Sequence, residues 1–271
     1  MGVVSEQNAL GAFLRARRGL ITPQEVGLNA TTSRRVPGLR REELALLAGI
    51  SADYYLRLEQ GRDHHPSPEI LDALAQALRL DEAGTTYLHQ LAYRPMRPAR
   101  APEYGEVSPS LLKLIDSWPA NPAHVQAPDM TVLASNALAR AISPVYTPGT
   151  NGLRAAFLDP SLRDLYVDWR SMAERVVAGV RAATGPDPDD PGFAKLIAEL
   201  TDQSPEFVEL WQRHEVHPQG HDVVELNHPL VGRLELSYEK FQVEGRGGQR
   251  LIVFQPEPGS EDALRKLATS L

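Results

Sequence analysis

The stretch Arg40–Gly61, RREELALLAGISADYYLRLEQG, predicts two short helices joined by a tight turn. Apolar residues recur along it at helical spacing, so each helix has one face for burial. Gly49 suits the left-handed backbone position that ends the first helix, and the hydroxyl of Ser51 can cap the second. Helices in this order form a helix-turn-helix, whose second helix enters the DNA major groove. The stretch therefore predicts a DNA-binding motif.

The start of the second helix carries the side chains that we expect to read base edges. These outward-facing residues are Ala52, Asp53, Tyr54 and Arg57. Two amphipathic helices that only pack together show the same spacing, so the motif alone leaves a structural role open. The surrounding sequence favours DNA binding, because a further amphipathic helix over residues 68–79 completes the order of a compact helical domain.

Charge is distributed unevenly along the chain. The net charge is −7, but residues 1–100 carry +2 and residues 101–271 carry −9. Between residues 15 and 41 there are seven arginines and a single acid, a density suited to phosphate contacts. We expect the DNA backbone to be contacted by Arg15, Arg18, Arg34, Arg35, Arg40, Arg41, Ser51, Arg62 and His64. A solvated charged face is the alternative for each arginine.

Residues 94–107 are rich in proline and lack apolar periodicity, which predicts a stiff linker. It separates an all-α helix-turn-helix domain, residues 1–93, from a second domain, residues 108–271. The second domain is predicted to contain a β-hairpin, a helical middle with one long helix over residues 160–185, and a three-stranded meander from Asp222 onward. These elements predict an α+β fold with helices on one face of a five-stranded antiparallel sheet.

The motif and its surroundings resemble a known family. Residues 36–81, VPGLRREELALLAGISADYYLRLEQGRDHHPSPEILDALAQALRLD, are similar to the Xre or lambda-repressor-like regulators and, more narrowly, to the actinobacterial MmyB-like regulators. In the second domain the resembling motifs include Phe157-Leu158-Asp159-Pro160, Asp168-Trp169, His228-Pro229 and Glu257-Pro258-Gly259-Ser260. The resemblance covers almost the whole chain. It implies a helix-turn-helix domain followed by a PAS-like ligand-binding domain.

The resemblance also implies a small apolar ligand in the second domain, with a fatty acid as the analogue. From the elements that should face one another across the sheet, we expect the pocket walls to be Trp118, Val132, Phe157, Trp169, Met172, Trp211, Tyr238 and Phe241. The polar candidates for fixing a head group are Asn136, Arg170 and His214. Core packing is the alternative for each aromatic residue, because cores and pockets use the same residue types.

Other classes of protein fit the sequence less well. His214, His217 and His221 are spaced like zinc ligands, but HEVH is one residue short of the pattern that places two histidines on one helical face. Cysteine is absent, which excludes thiolate and disulfide chemistry, and no nucleophile-elbow signature occurs. We predict no enzyme, no metal and no cofactor apart from a fatty acid or another apolar small molecule as ligand.

The function that we predict is a ligand-responsive transcription regulator. It should bind an inverted-repeat operator as a homodimer, because one recognition helix reads only a few base pairs. No run approaches the ~18 apolar residues of a membrane span, and the polar N-terminus lacks a secretory pattern, so we expect a cytoplasmic protein. Two alternatives stay open: a second domain that dimerises or docks a protein partner without a ligand, and an enzyme fused to a helix-turn-helix.

Overall fold

A computed structural model describes residues 8–28, 36–63, 65–93, 105–184, 191–216, 222–245 and 247–271. The chain divides into two compact units. The first consists of Met1–Ala99, Gly185–Pro188 and Val208–Pro218, and the second of Arg100–Thr184, Asp189–Phe207 and Gln219–Leu271. Most of the predicted linker, residues 94–104, lies outside the described residues.

The first unit is built from helices. Within residues 8–93 they are α1 Ala9–Leu20, α2 Arg41–Leu47, α3 Ala52–Glu59, α4 Pro68–Ala77 and α5 Glu82–Ala92, with a 3₁₀ turn at Gln24–Val26 after α1. The apolar faces are buried, as their periodicity predicts, and Phe13, Tyr55 and Leu58 have almost no access to solvent. The all-α domain predicted from the sequence is therefore confirmed.

The turn between α2 and α3 follows the predicted chemistry. Gly49 has a φ of 67°, a left-handed conformation that glycine adopts without a Cβ clash. The backbone N–H of Ile50 donates to the carbonyl of Ala45 (3.0 Å) and closes the end of α2. Ser51 then caps α3, because its Oγ accepts a hydrogen bond from the backbone N–H of Tyr54 (3.1 Å). These two helices form the predicted helix-turn-helix.

Beyond residue 105 the chain combines helices with one sheet. In chain order the elements are α6 Pro109–Asp116, β1 Ala123–Gln126, β2 Val132–Ser135, α7 Ala137–Ile142, α8 Gly152–Leu158, α9 Pro160–Leu165, α10 Trp169–Thr184, α11 Pro191–Gln203, α12 Pro205–Gln212, β3 Asp222–His228, β4 Gly232–Gln242, β5 Arg250–Pro256 and α13 Glu261–Thr269. Neighbouring strands are antiparallel in the order β2-β1-β5-β4-β3. The hairpin and the meander are thus joined through β1 and β5, which confirms the α+β class.

Helices pack on both faces of the sheet, whereas the sequence predicted helices on one face. Side chains alternate along a strand, so Leu251 and Ile252 in β5 point to opposite faces. Ile252 lies in the larger core together with residues of α7 and α13, and Leu251 lies in a smaller core with Ile115 of α6. The apolar stripe of α6 predicts that the helix packs against the protein, but it does not predict which face of the sheet the helix covers.

The helix predicted over residues 160–185 is broken, so that prediction was wrong. The first part, α9, ends at Leu165, and α10 begins at Trp169. Asp168 starts the second helix, because its Oδ1 accepts a hydrogen bond from the backbone N–H of Ser171 (2.9 Å). The apolar spacing continues across Asp168, so it predicted one helix and did not show that this aspartate caps a second helix.

Short chain segments cover part of both edges of the sheet. At the β3 edge, Tyr166 forms an isolated antiparallel bridge with Leu226. At the β2 edge, the backbone N–H of Val132 donates to the carbonyl of Thr150 (2.8 Å), and its carbonyl accepts from the N–H of Gly149 (2.8 Å). Backbone groups at these positions are therefore already paired within the chain.

Two helices were not predicted. Asn151 caps α8 through its side-chain oxygen. α13 begins with Glu261 and Asp262, whose charges suit the positive end of the helix dipole, and it buries Leu264 and Leu267. The segment of α8 was interpreted as loop, and no structure was predicted for the segment of α13.

Candidate functional site

The beginning of α3 presents polar groups. Ala52 and Asp53 are exposed, and Tyr54 and Arg57 are partly buried. The guanidinium of Arg57 forms an ion pair with the carboxylate of Asp53, and it lies 5.4 Å from the centroid of the Tyr54 ring. The surface therefore offers a donor, an acceptor and an aromatic face, which are the groups that read base edges. These are the four residues predicted to read bases, and that role stays a prediction.

Glu59 at the end of α3 is fully buried and binds two arginines. Its Oε1 accepts a hydrogen bond from Nε of Arg18 (2.7 Å), and its Oε2 accepts one from Nε of Arg41 (2.7 Å). Arg15 approaches the same carboxylate at 3.9 Å. One buried carboxylate thus connects α1, α2 and α3.

Glu59 is ionised in the folded protein despite its burial. Burial alone would raise the pKa of its carboxyl, but the hydrogen bonds from Arg18 and Arg41 outweigh burial and hold the pKa below its usual value. Burial also acts to lower the pKa of Arg18, and Glu59 reverses this effect, so the pKa of Arg18 is raised. The cluster therefore keeps its charges at neutral pH.

Arg18 is used inside the helical unit. In addition to its bond with Glu59, its Nη1 donates to the carbonyl of Leu39 (2.7 Å), and only 13% of its side chain is exposed. Both hydrogen bonds and the low exposure favour a structural role for Arg18, and its contact with the DNA backbone stays a prediction. Arg15 and Arg41 keep 58% and 48% of their side chains exposed and remain candidates for phosphate contacts.

Three of the other predicted phosphate contacts lie within the described residues. Arg40 and Arg62 are exposed at either end of the helix-turn-helix. The Oγ of Ser51 accepts the capping hydrogen bond, which leaves its own proton to donate. Three predicted contacts lie outside the described residues: Arg34, Arg35 and His64.

The second unit contains a cavity of about 120 Å³, partly open to solvent, between its sheet and α10. The sheet contributes His124, Gln126, Tyr238, Lys240, Arg250, Ile252 and Phe254. Alternate residues of a strand share one face, so the floor of the cavity is the sheet face opposite α6. From the other side, α10 contributes Met172, Arg175, Val176 and Gly179.

Aromatic rings form one wall of the cavity. His124 stacks on Tyr146 with 4.6 Å between ring centroids, and it lies 5.8 Å from Phe254. Tyr238 meets Phe254 edge to face at 5.6 Å. Burial raises the pKa of Tyr146, and the neighbouring Tyr166 raises it further, so this phenol stays protonated. The wall combines ring faces with phenol hydroxyls.

His124 is neutral in the folded protein. Burial lowers its pKa to about 4, although a hydrogen bond between its Nε2 and Oε1 of Gln126 (3.1 Å) acts in the opposite direction. Because the amide oxygen accepts, Nε2 carries the proton of the neutral ring. The imidazole therefore contributes a flat, uncharged ring to the wall.

The lining of the cavity nevertheless carries more cationic than anionic side chains. Arg175, Lys240 and Arg250 line it, and none of its lining residues in the described part of the chain carries a carboxylate. Lys240 lies 5.1 Å from the centroid of the Tyr238 ring. Burial lowers the pKa of Arg250, but a guanidinium starts so far above neutrality that it keeps its charge. The site thus suits a ligand with an apolar body and a negative group.

Comparison with known families gives two matches. Residues 107–269, which are more than half of the chain, match the MmyB-like transcription regulator ligand binding domain. The chain belongs to the MmyB-like transcription regulators. Residues 9–88 match a helix-turn-helix domain. The family resemblance found in the sequence is confirmed, and the chain is a DNA-binding regulator with a ligand-binding domain. A search of curated proteins found no match.

Three of the pocket residues predicted for this MmyB-like regulator line the cavity. They are Val132, Met172 and Tyr238. Val132 lies in β2 opposite Gln126 of β1, and Met172 faces the cavity from α10. Tyr238 lies on the same face of β4 as Lys240, which also lines the cavity. The other predicted residues are not among its lining residues.

Asn136 is a structural residue, not a head-group contact. Its Oδ1 accepts hydrogen bonds from the backbone N–H groups of Ala123 (3.1 Å) and Ala139 (3.0 Å). Its Nδ2 donates to the carbonyls of Ile115 (3.1 Å) and Asn121 (2.8 Å). The amide caps α7 and joins it to β1 and α6, so its hydrogen-bonding capacity is used within the protein.

Phe157 and Trp169 fill a helical layer beside the cavity. Phe157 packs edge to face against Trp169 (6.0 Å) and Phe207 (5.2 Å). The indole Nε1 of Trp169 donates to the carbonyl of Ala156 (2.9 Å), and the guanidinium of Arg163 lies 3.9 Å from its ring centroid. These contacts place both aromatic residues in the core. Core packing was the alternative to a pocket role for each of them in the sequence analysis.

Two further aromatic residues lie on the other side of the sheet. Trp118 packs in the small core with α6. Phe241 neighbours Lys240 in β4 and therefore points away from the cavity, with 53% of its surface exposed. Strand alternation explains the position of Phe241, because only every second residue of β4 faces the cavity, whereas Trp118 follows α6 and packs on the face of the sheet that this helix covers.

The remaining polar and aromatic candidates also lie elsewhere. Arg170 is paired with Glu174 one turn along α10 (3.2 Å). Trp211 and His214 belong to Val208–Pro218, which is part of the first compact unit. None of the three is among the residues that line the cavity in the second unit.

The sequence analysis missed His124, Gln126, Tyr146 and Arg250 as cavity residues. The two-residue period of a strand places His124 and Gln126 on one face of β1. The same period places Arg250 on one face of β5 with Ile252 and Phe254. Tyr146 lies in a 3₁₀ turn, and its position depends on packing that no local pattern encodes.

In the described ranges no helix is long and apolar enough to cross a bilayer. The same ranges contain no group of three or more His, Asp or Glu side chains placed to hold a metal ion. His217 and His221, which were considered as zinc ligands with His214, lie outside the described residues. Both matched families describe a regulator, and neither describes an enzyme.

Proposed function

We propose that this regulator binds an inverted-repeat operator as a cytoplasmic homodimer, and that a small apolar, fatty-acid-like ligand in the cavity changes its affinity for DNA. The cavity is the observation that carries the proposal. It is a concave space lined mostly by apolar side chains with a few polar and cationic groups, which is the make-up of a small-molecule site.

The DNA part of the proposal rests on the exposed start of α3. Asp53 and Arg57 lie one turn apart on the surface, and Tyr54 lies beside them. One such helix contacts only a few base pairs, so two copies about 34 Å apart are needed to read an operator. Two-fold symmetry of the protein then requires an inverted repeat.

The ligand part rests on the lining. Apolar side chains such as Val132, Met172 and Ile252 favour a hydrocarbon body, and the cationic side chains favour an acid group. A cavity of ~150 Å³ holds benzene, so the space here suits a ring or a short acyl chain. A longer acyl chain would extend out through the open side of the cavity.

Regulation requires the ligand to prefer one state of the protein. A ligand shifts the DNA equilibrium only by its differential affinity for the DNA-bound and free states, typically about 5- to 150-fold. The expected result is a change in operator affinity within this range.

The experiment uses the full chain and an operator selected from random DNA. Saturated fatty acids from butanoate to tetradecanoate are titrated, and melting temperature, operator affinity by fluorescence anisotropy, and stoichiometry by light scattering are measured. Val176→Phe fills the cavity from α10 and should abolish the ligand effects, whereas Val167→Phe, at an exposed position, should preserve them.

A dimer on the operator whose affinity changes with a bound acid supports the proposal. If no acid shifts melting or DNA binding, and organic extraction of the purified protein yields no lipid, ligand sensing fails. The second domain is then a dimerisation or partner-docking module.

A further inference from the structure

We propose that the cavity selects a small aromatic carboxylate, whose carboxylate pairs with Arg250 and whose ring lies against His124, Tyr146 and Phe254. This inference rests on the proposed ligand sensing, and it replaces the fatty-acid-like ligand proposed there by an aromatic acid. It combines the charge of the cavity floor, its ring wall and the size of the space.

Arg250 differs from other arginines of the second unit. Arg154, Arg163 and Arg233 each pair with a glutamate at 2.7 to 2.9 Å. The guanidinium of Arg250 has no carboxylate or hydrogen-bond partner among the described residues, although it is partly buried. A desolvated cation without a partner is unfavourable, and an anionic ligand would supply the missing interaction.

The positions of charge and rings fit a short rigid ligand. Arg250 pairs in register with Gln126 of β1 and begins the face that continues through Ile252 to Phe254. Four residues of a strand span about 13 Å, so the backbone of Arg250 and the ring of Phe254 lie at opposite ends of the floor. An arginine side chain reaching inward and one ring with its carboxylate together bridge that span.

The ring wall favours an aromatic body over an acyl chain. His124, Tyr146 and Phe254 have centroids 4.6 to 5.8 Å apart, within the range of stacked and tilted aromatic pairs. A cavity of about 120 Å³ is close to the ~150 Å³ that holds benzene. A planar ring also loses less conformational freedom on binding than a flexible chain.

The experiment compares three probes by isothermal titration calorimetry on the full chain. Benzoate has the ring and the charge, benzamide keeps the shape without the charge, and octanoate keeps the charge without the ring. The variants are Arg250→Gln, Arg250→Lys and the control Arg233→Gln, which alters an exposed arginine of β4 outside the cavity. Melting curves confirm that each variant is folded.

Wild-type protein should bind benzoate more tightly than benzamide or octanoate. Arg250→Gln should weaken benzoate by about tenfold to a hundredfold, the worth of a charged hydrogen-bonded pair, and leave benzamide unchanged. Arg250→Lys should retain most of the affinity, and Arg233→Gln should retain all of it.

Equal benzoate affinity in wild type and Arg250→Gln overturns the role of Arg250. Octanoate binding without benzoate binding overturns the aromatic selection while ligand sensing stands. If neither these probes nor the fatty-acid series binds, the inference and the proposed ligand sensing fall together.

Discussion

Replacing Glu59 by glutamine should destabilise the helical unit by about 2–3 kcal/mol. Glu59 accepts hydrogen bonds from Arg18 and Arg41 at 2.7 Å each, and its side chain is fully buried. Removing one partner of a buried ion pair costs about 3–5 kcal/mol. We expect less here, because glutamine keeps one acceptor oxygen and because water solvates the half-exposed Arg41 when its partner is lost.

Hydrogen exchange measures this loss separately in each unit. Amide protection in peptides from α1 and α3 should fall by the stated free energy, while peptides from β4 and β5 should exchange unchanged. Asp53→Asn is the matched control, because it breaks an exposed ion pair in the same helix and should cost no more than about 0.5 kcal/mol.

A loss below about 0.5 kcal/mol in Glu59→Gln would refute the structural role of the cluster. A second variant tests the phosphate contact predicted for Arg18. Unchanged amide protection in Arg18→Met, together with weaker binding to all DNA sequences and a flatter salt dependence, would support that contact.

Three further outcomes are expected. Arg57→Ala should cost about 1–3 kcal/mol on the operator and relax selectivity at one base pair, whereas Arg62→Ala should weaken all sequences alike and lower the salt slope by about one, as measured by anisotropy across salt concentrations. Because the pKa of Glu59 is lowered on folding, its contribution to the free energy of unfolding is complete above about pH 4.5 and is lost as pH falls through the folded pKa. Amide protection of α3 measured against pH should show this loss, and Glu59→Gln should flatten the curve. Asn136→Ala should cost about 2–3 kcal/mol in urea unfolding, from a lost cap and unpaired backbone groups, with no change in ligand affinity at temperatures where it is folded.

The helix-turn-helix was predictable because its signals are local. Gly49 and Ser51 determine where one helix ends and the next begins, and the apolar spacing determines which face is buried. The role of Arg18 was not predictable in the same way. Its partner Glu59 is distant in sequence, and an arginine in a basic stretch looks the same whether it faces a phosphate or a buried carboxylate.

The sheet was predictable, but the cavity mostly was not. Alternation in β1 and β5 marks two faces, yet it does not say which face a helix leaves partly uncovered. Large aromatic residues such as Trp118 and Trp169 were assigned to the pocket because they are large and apolar, and packing placed them in cores. The sequence pattern did indicate Arg250, a cation on the same strand face as Ile252 and Phe254, just as it did His124 and Gln126 in β1.

The covered edges of the sheet bear on how copies of this protein meet. An exposed edge strand offers unpaired N–H and carbonyl groups to a second chain, which leads to aggregation or to a continuous sheet across two subunits. Here Tyr166 occupies part of the β3 edge, and Thr150 with Gly149 occupies part of the β2 edge. Strand addition at these positions would first have to displace a segment of the same chain. At these positions the protein is therefore protected against the addition of a strand from a second copy, which is the first step of β-aggregation.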